Sequence, residues 1–472
     1  MIKQFTLTIL AASVLSACSL APKYTRPDAP VAANYDTTSP TSSSNALRAS
    51  ELGWRAFFHD QRLQTLISTA LVNNRDLRVA ALRIEEARSL YNIQSADLLP
   101  NLNGVATGNR GRGPSSTGTS LVSSNYQVGL SLASFELDFF GRVRSLNDAA
   151  LAQYLSTEEA QRSAHITLVS EVAKAYLAER AFAEQQALAQ QTYESRAAAY
   201  DLSKQRFEVG AQSALDLRQD EALTQNAKVS ELVLRRQRAQ AMNALTLLVG
   251  QPLTDLPPVQ PLSAQIIRSD FFVGMPSDLL QQRPDIRSAE QTLLAANANI
   301  GAARAAFFPR ISLTAGVGTA SSELSGLFES GTRAWSFAPQ LVLPIFEGGR
   351  NMANLNLTEV RKNIAVANYE KNIQVAFREV ADALVARDLL DEQIEAQRLA
   401  QVAQEDRMKL ADQRFQNGIS SSLDVLDAQR ELFQAQLSLV QARLLRLTNA
   451  INLYRSLGGG LQETTIATAP AK

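Results

Sequence analysis

An internal duplication constrains the fold of this 472-residue chain more than any other feature of its sequence. The segments Asp76-Leu77-Arg78 and Leu98-Leu99-Pro100 return 209 residues later as Asp285-Ile286-Arg287 and Phe307-Phe308-Pro309. From Gly141-Arg142, which matches Gly349-Arg350, the offset is 208 residues. Each copy is far longer than the repeats that stack into solenoids. We therefore expect two large halves with the same fold.

Each copy begins with a helical segment, and a region typical of β-strands follows. In the first copy Pro100 ends the helix. Apolar side chains at Tyr126, Val128, Leu130 and Leu132 then alternate with polar or small residues. A period of two residues indicates a strand. We therefore predict a β-hairpin at 101–140 and, from similar alternation in the second copy, another at 310–347.

Long helical sequence follows each hairpin. Residues 143–209 and 351–417 contain no proline, and each would span about 100 Å as a helix. A glycine-containing turn separates each of them from a second helix, at 213–249 and 421–457. Apolar residues recur in steps of four and three along the last helix, at Phe433, Leu437, Val440, Leu444, Leu447, Ile451 and Tyr454. This heptad pattern predicts a partner helix alongside.

The N-terminus indicates export and lipidation. A basic start precedes an apolar run from Phe5 to Leu15, which is too short to span a bilayer and is typical of a secretory signal. Leu15-Ser16-Ala17-Cys18 has the pattern of a bacterial lipoprotein signal, and Cys18 is the only cysteine of the chain. We therefore predict that Cys18 is lipidated, and Ser19 after it favours the outer membrane.

These elements define the predicted domain organisation. The segments are, in order, a signal peptide at 1–17, a lipidated extended segment at 18–60, repeat 1 at 61–250, a proline-rich connector at 251–276, repeat 2 at 277–458 and a tail at 459–472.

Composition excludes several classes of function. The 46 Lys and Arg residues balance 46 Asp and Glu residues, so nucleic acid, which needs a basic excess, is not an expected partner. One cysteine and two distant histidines, His59 and His165, give metal binding little basis. No acid, base and nucleophile converge. We predict no cofactor and no enzymatic activity, and we expect His165 to be a solvated surface residue.

The two predicted hairpins can form a closed sheet only together with strands of other chains. Four strands cannot close a sheet on themselves, and an open edge in lipid leaves costly unpaired backbone groups. Closed symmetric assembly pairs every edge, and three copies would supply twelve strands and a hollow ring of helices. The aromatic residues Tyr126, Phe140, Trp335 and Phe337 would face lipid or pack against a neighbouring strand. The sequence pattern does not decide between these two positions.

Motifs over nearly the whole chain resemble the outer-membrane efflux lipoproteins, the exit ducts of tripartite drug pumps (the TolC/OprM class). They are Asn74-Arg75-Asp76-Leu77, Glu136-Leu137-Asp138-Phe139-Phe140-Gly141-Arg142, Leu343-Pro344-Ile345-Phe346-Glu347-Gly348-Gly349-Arg350, Asp424-Val425-Leu426-Asp427-Ala428-Gln429-Arg430 and Leu453-Tyr454-Arg455-Ser456-Leu457-Gly458-Gly459-Gly460. The resemblance implies a mainly α, TolC-like homotrimer with a twelve-stranded β-barrel in outer-membrane lipid and a periplasmic α-helical barrel. It also implies a periplasmic adaptor and an inner-membrane RND-type transporter as partners.

The resemblance also gives the two turns between paired helices a function. Glycine suits the left-handed conformation that commonly follows a helix. In the family these turns form the tip that docks the adaptor. The candidates are Arg206, Phe207, Gly210 and Ser213 in the first copy and Arg414, Phe415, Gly418 and Ser421 in the second.

Acidic residues just after these turns are candidate gate residues. Asp424 and Asp427 share one helix face, and in a trimer they would form carboxylate rings that attract cations. Spacing alone favours a simpler interpretation, in which both residues are exposed acids at the start of a helix and are stabilised there by the helix dipole. The resemblance places family gate residues at Leu423, Asp424 and Asp427, and Asp216 would latch neighbouring coils. Phe415 and Ser420 depart from the TolC pattern, so the TolC hydrogen-bonded latch is not implied.

A second class of function is a periplasmic coiled-coil lipoprotein that acts as a scaffold or as a pump adaptor. An adaptor would add a lipoyl-like β domain between its helices, and a scaffold would lack matched hairpins in both copies. The sequence therefore favours a passive export channel with a gated periplasmic tip.

Overall fold

The structure is a computed structural model that describes residues 19–35, 47–114, 120–265, 267 and 273–465. Cys18 and the predicted signal peptide lie outside the described residues. The chain forms two compact units, and each contains parts of both copies of the repeat. Unit 1 comprises Met1–Asp28, Arg83–Glu158 and Ser288–Glu370, and unit 2 comprises Ala29–Leu82, Glu159–Arg287 and Lys371–Lys472.

Each copy contains one β-hairpin and two long helices, as the sequence predicts. In the described part of the chain the α-helices are α1 (Trp54–Phe57), α2 (Gln61–Asn73), α3 (Arg75–Ala96), α4 (Arg142–Glu208), α5 (Ala214–Val249), α6 (Leu279–Gln282), α7 (Pro284–Ala305), α8 (Arg350–Gln416) and α9 (Ser422–Ser456). The strands are β1 (Leu102–Pro114), β2 (Ser120–Leu137), β3 (Arg310–Ser321) and β4 (Arg333–Val342). Helices α4 and α8 have 67 residues each.

Unit 1 contains a four-stranded antiparallel sheet in the order β1-β2-β3-β4. Strands β1 and β2 form the first hairpin, and β3 and β4 form the second. Pairing of β2 with β3 joins the two copies, with Leu130 opposite Val317. Strands β1 and β4 are the edges of the sheet.

A β-bulge in β2 explains why the repeat offset changes from 209 to 208 residues. The pairing of β2 with β3 shifts between Leu132, opposite Ala315, and Phe135, opposite Leu313. Two residues of β2 therefore face one residue of β3, which defines a bulge. Ser134 has a φ of 48° there, and its N–H donates to the hydroxyl of Thr314. The first copy thus carries one residue that the second copy lacks.

The aromatic residues of the strand region lie in two different environments. The ring of Phe140 stacks on Phe308, with 4.8 Å between ring centroids. Trp335 and Phe337 on the edge strand β4 are exposed. Phe140 therefore packs against the turn that precedes β3 rather than against a strand, while the β4 aromatics are exposed.

The N-terminal segment lies along α7 in unit 1. Arg26 forms a two-point ion pair with Glu290 at 2.7 and 2.8 Å, and the hydroxyl of Tyr24 donates to the same carboxylate. Asn297 donates to the carbonyl of Pro22 at 2.8 Å. A Cβ atom added at Gly301 would lie 2.8 Å from the backbone N of Ala21. Glycine at this position therefore leaves room for the segment.

The core of unit 2 surrounds the short helices α1 and α2. Trp54, Phe57 and Tyr454 are fully buried, and the rings of Phe57 and Tyr454 stack at 3.9 Å. Buried Asp60 caps α2 by accepting from Arg62 N at 2.8 Å, and its other oxygen accepts from the hydroxyl of Tyr176 at 2.7 Å. Because all its partners come from distant segments or a helix start, this carboxylate fixes the packing of α2 on α4.

The predicted heptad seam of α9 is partly buried in the same unit. Val440, Leu447, Ile451 and Tyr454 are buried, as are Ile373, Val380 and Leu384 on α8. Asn449 of α9 also donates to the carbonyl of Ala383 at 2.8 Å. The two helices therefore pack side by side, as the heptad pattern predicts.

His165 is not the solvated surface residue that the sequence suggests. The residue is half-buried on α4, and its buried Nε2 has no hydrogen-bond partner among the described residues. Burial lowers the pKa of the imidazole below its ordinary value, because the charged form loses its hydration. The neighbouring residues Ile166, Leu168 and Val169 are buried, so His165 lies in a stretch of α4 that packs against other parts of the chain.

We expect His165 to make the protein less stable in mild acid. Its unfolded-state pKa is about 6.5, so below that pH the unfolded chain binds a proton that the folded chain excludes, and the free energy of unfolding falls. His165→Leu should therefore lose less thermal stability than wild type between pH 7.5 and pH 5.0. The matched control is His59→Leu, because His59 is exposed and should leave the pH dependence unchanged. Equal losses in all three proteins would contradict the prediction.

No helix in the described segments combines the length and the apolar character needed to cross a bilayer.

Candidate functional site

Both turns between paired helices have the same backbone geometry. Gly210 and Gly418 have φ values of 76° and 71°. The N–H of Ala211 donates to the carbonyl of Arg206 at 2.8 Å, and Ile419 donates to Arg414 at 2.9 Å. This is the Schellman ending of a helix, which needs a left-handed residue. Glycine is required here by backbone conformation rather than by lack of space, because a Cβ added at either position meets nothing within 4 Å.

Serine and aspartate begin the helix after each turn. The hydroxyl of Ser213 accepts from Asp216 N at 3.1 Å and donates to its carboxylate at 2.8 Å. In the second copy, Ser421 N and Oγ each donate to the carboxylate of Asp424 at 3.1 Å. These are capping interactions that stabilise a helix start. The simpler interpretation of Asp424, an acid at a helix N-terminus, therefore describes its local role within one chain, and Asp216 has the same role in the first copy.

Asp427 has a different environment, one that the sequence analysis missed. Its carboxylate accepts from Arg407 of α8 at 2.8 Å and from Arg430 of α9 at 2.5 Å. Arg430 also contacts Glu431 at 3.0 Å. The carboxylate predicted to contribute negative charge to the gate is therefore balanced by two guanidinium groups of its own chain.

A third arginine lies close to this group. The guanidinium of Arg196 on α4 donates a long 3.5 Å hydrogen bond to the carbonyl of Leu223, and its Nε is buried without a partner among the described residues. Burial and the nearby charge of Arg430 lower the pKa of Arg196. The start of α9 therefore combines acidic and basic side chains.

The duplication shows that this arrangement belongs to the second copy alone. At the offset of 208 residues, Asp427 corresponds to Gln219, Arg407 to Ala199 and Arg430 to Ala222. The ion pair could have been found from sequence, because residues equally distant from the turn at residue 417 face each other across an antiparallel helical hairpin.

Apolar side chains surround both turns. Phe207 and Phe415 of the predicted tip are exposed, and so is Leu423 of the predicted gate. Val209, Leu215 and Ile419 are also exposed there, although the sequence analysis did not select them. Arg206 and Arg414 are exposed beside them. Each turn thus presents apolar and cationic side chains together, a combination suited to binding another protein.

Within the residues that the structure describes, no group of three or more His, Cys, Asp or Glu side chains is placed to hold a metal ion.

Comparison with known proteins gives consistent matches over the whole chain. The family model for outer membrane efflux proteins matches residues 66–251 and 275–459. The chain is 47% identical to the toluene efflux pump outer membrane protein TtgC of Pseudomonas putida, covering 98% of this chain and 97% of the relative. It is also 47% identical to the outer membrane protein OprJ of Pseudomonas aeruginosa, covering 96% and 95%.

Solved structures give the same result. The open-state MtrE outer membrane channel of Neisseria gonorrhoeae has a TM-score of 0.86 and 42% identity, covering 95% of this chain and 100% of that chain. The CmeC outer membrane channel of Campylobacter jejuni has a TM-score of 0.87 and 26% identity, covering 94% and 96%.

Proposed function

The chain belongs to the outer membrane efflux protein family, and from this membership we infer that it is the trimeric outer-membrane exit channel of a tripartite efflux system. The duplication, the paired hairpins and the long helices all fit this function. The family is a family of channels rather than enzymes, and we propose a passive conduit without catalysis or cofactor. This function replaces the alternatives of a scaffold or a pump adaptor.

The observation that carries the channel function is the open sheet of unit 1. Its four strands leave β1 and β4 as free edges, and β4 presents exposed apolar side chains at Trp335, Phe337 and Leu341. Exposed apolar residues on a free edge promote pairing with another chain. If β4 of each copy pairs with β1 of the next, three copies satisfy every edge and present an apolar surface to lipid.

A gate at the start of α9 is the second part of the proposal. Leu423 is exposed just after the turn, so three copies would place three leucines around the channel axis. We propose that the Arg407–Asp427 ion pair, by joining α8 to α9, holds this leucine in the closed position. Asp424 and Asp216 remain part of the proposed gate. Each takes part in the capping contacts at the start of its helix, near the proposed constriction.

The turns themselves are the proposed docking tip for a periplasmic adaptor. The exposed rings of Phe207 and Phe415 lie beside Arg206 and Arg414, next to the turns at Gly210 and Gly418. The flanking caps of Ser213 and Ser421 fix the helices that carry them. An inner-membrane RND-type transporter would complete the system, with the adaptor between it and the channel.

The protein is an outer-membrane protein that extends into the periplasm, and lipidation of Cys18 would add an anchor to it. The segment that follows is held firmly, since Leu20 and Pro22 accept hydrogen bonds from α7 side chains at 3.4 and 2.8 Å. A lipid attached just before this segment would therefore be tied to unit 1 rather than to a free tail.

Purified full-length protein should be trimeric in detergent and should insert ion-conducting pores into planar bilayers. The protein should also be recovered in the outer-membrane fraction. Its migration on a gel should change when the sample is heated before electrophoresis. A monomer that produces no conductance would refute the channel function. The Cys18→Ala variant tests the anchor separately, because loss of the lipid should leave conductance intact while abolishing labelling with a fatty-acid probe.

A further inference from the structure

The two faces of the sheet in unit 1 differ in chemistry. Residues that pair across neighbouring strands point to the same face of a sheet. On one face Leu130 pairs with Val317, and Val317 pairs with Trp335. The opposite face carries amide and hydroxyl side chains, at Asn109, Asn125, Gln127, Ser131, Ser336 and Gln340. The first of these is the apolar face, and in a channel it is the face that contacts lipid.

Three arginines lie at one end of the apolar face. Arg333 is the first residue of β4 and shares this face with Trp335, because side chains two residues apart in a strand point the same way. Arg110 of β1 pairs with Ser124 of β2, which is on the face of the apolar β2 residues. Arg112 lies two residues further along β1, also on this face. All three side chains are exposed, and we call these residues the edge arginines.

The edge arginines lie at the end of the sheet that is remote from the helices. Strands β2 and β4 lead into α4 and α8, and β1 and β3 follow α3 and α7, so the helices join the opposite end. Because the protein extends into the periplasm through its helices, the arginines lie on the outer side of the membrane. Arg333 and Leu341 are eight residues apart on β4, a rise of about 20 Å for a strand tilted by about 40°. Arg333 therefore lies near the outer boundary of an apolar band about 25 Å tall, where a charged side chain is tolerated.

The strands supply no carboxylate at this end of the sheet. Strands β1, β3 and β4 contain no acidic residue, and the one acid of β2 is Glu136, at the helix end. There Glu136 forms ion pairs with Arg142 at 2.7 Å and with Arg310 at 3.3 Å. Glu323 and Glu329 belong to the loop between β3 and β4, outside the strands. The sheet thus balances arginine with an acid at its periplasmic end and not at its outer end, an arrangement that favours an anionic group from outside the chain.

We propose that the edge arginines bind the phosphate groups of a phosphorylated glycolipid of the outer leaflet, whose acyl chains lie on the apolar face beside Trp335 and Phe337. This inference rests on the trimeric channel function, because pairing of β4 with β1 of the next copy brings Arg333 of one chain and Arg110 of the next to the same boundary. A trimer would therefore carry three such sites.

The chemistry at this boundary fits both parts of such a lipid. A guanidinium forms two parallel hydrogen bonds with a phosphate, and basic clusters at a membrane surface recognise anionic head groups. Trp335 and Phe337 are 78% and 60% exposed on the same face, and aromatic residues of membrane barrels commonly lie at the level of the head groups. Arginines on two strands can contact two phosphates of one head group, whereas a phospholipid with one phosphate contacts fewer. This difference favours the glycolipid.

Binding of lipid A, a glycolipid with two phosphates, to the purified full-length trimer tests the site. The titration is made in detergent and followed by native mass measurement, which counts the lipids bound to each trimer. Arg110→Gln combined with Arg333→Gln should weaken binding about thirtyfold, because each arginine at a membrane surface contributes about fivefold to the affinity for an anionic lipid. Lipid A without its phosphates should bind wild type and this variant equally weakly.

The matched control is Arg378→Gln with Arg398→Gln, which removes the same charge from α8 side chains that are 73% and 49% exposed. This control should bind lipid A as wild type does. The proposal is overturned if wild type binds the dephosphorylated lipid as tightly as lipid A, or if phosphatidylglycerol binds as tightly as lipid A. Displacement of lipid A by millimolar inorganic phosphate would also overturn it, because the site would then recognise the free anion.

Trimer mass and planar-bilayer conductance are measured on every variant. If the Arg110/Arg333 variant is a conducting trimer that binds lipid A with the wild-type affinity, the lipid site is wrong while the channel function stands. If wild-type protein is a monomer without conductance, the channel function and the lipid site are both refuted.

Discussion

A channel carrying Leu423→Ala together with Asp427→Ala is expected to conduct several times more current than wild type in planar bilayers. The first change removes an exposed apolar side chain from the start of α9. The second breaks the 2.8 Å ion pair that joins α9 to Arg407 of α8. Both changes weaken the proposed closed state, so the open state should be populated more often.

The size of the ion-pair contribution follows from its exposure. The side chains of Arg407 and Asp427 are 48% and 36% exposed, and an exposed pair contributes ~0.5 kcal/mol. Three such pairs in a trimer amount to ~1.5 kcal/mol, which corresponds to about a tenfold change in the ratio of closed to open channels. Asp427→Asn alone should therefore raise open probability without widening the pore.

The duplication provides a matched control for the gate. Leu215→Ala with Gln219→Ala makes the corresponding changes in the first copy, where Ala199 takes the place of Arg407. No ion pair is lost there, so conductance should rise less. Unchanged conductance and cation preference in the Leu423/Asp427 variant would place the gate elsewhere, and an equal rise in the control would show that the ion pair is irrelevant.

Replacing Phe207 and Phe415 by aspartate should abolish drug resistance while leaving the trimer and its conductance intact. Both rings are exposed beside the glycine turns, and aromatic anchors at a protein interface commonly contribute 2 kcal/mol or more when removed. Losing two per chain, about 4 kcal/mol in all, should therefore weaken adaptor binding by several hundredfold. The measurements are drug susceptibility in a strain that lacks its own exit channel and binding to the purified adaptor.

Leucine at the same two positions is the control for docking. Phe207→Leu with Phe415→Leu keeps the apolar surface and should retain most of the resistance. The docking proposal fails if the aspartate variant, present in the outer membrane at the wild-type level, still confers full resistance. It also fails if the aspartate variant binds the adaptor as tightly as wild type.

The hairpins and the paired helices could be predicted because their signals are periodic and occur twice. Alternation near Tyr126 marks a strand of the first hairpin, and the heptad from Phe433 to Tyr454 marks the helix seam. The tip turns were predictable for a similar reason, since Gly210 and Gly418 occupy equivalent positions. Local periodicity of this kind depends on short stretches of chain, so no tertiary information is needed.

The partners of single side chains were not predictable in the same way. The position of His165 in a half-buried site depends on which segments lie alongside α4. Asp60 collects partners from α2, α4 and the connector, at Arg62, Tyr176 and Gln265. Nothing local to these residues encodes such contacts.

The sequence by itself determined that this protein is a duplicated, exported chain with one strand hairpin and two long helices in each copy. These features follow from the periodic spacing of apolar residues, from the turn residues and from the internal repeat, all of which can be recognised in the sequence. Only the tertiary structure decided that Ser156 meets Ser288 while their counterparts Ile364 and Val79 remain uncovered. Two similar copies of one fold can bury one pair of faces within a chain and leave the equivalent pair exposed, and that difference depends on packing in three dimensions.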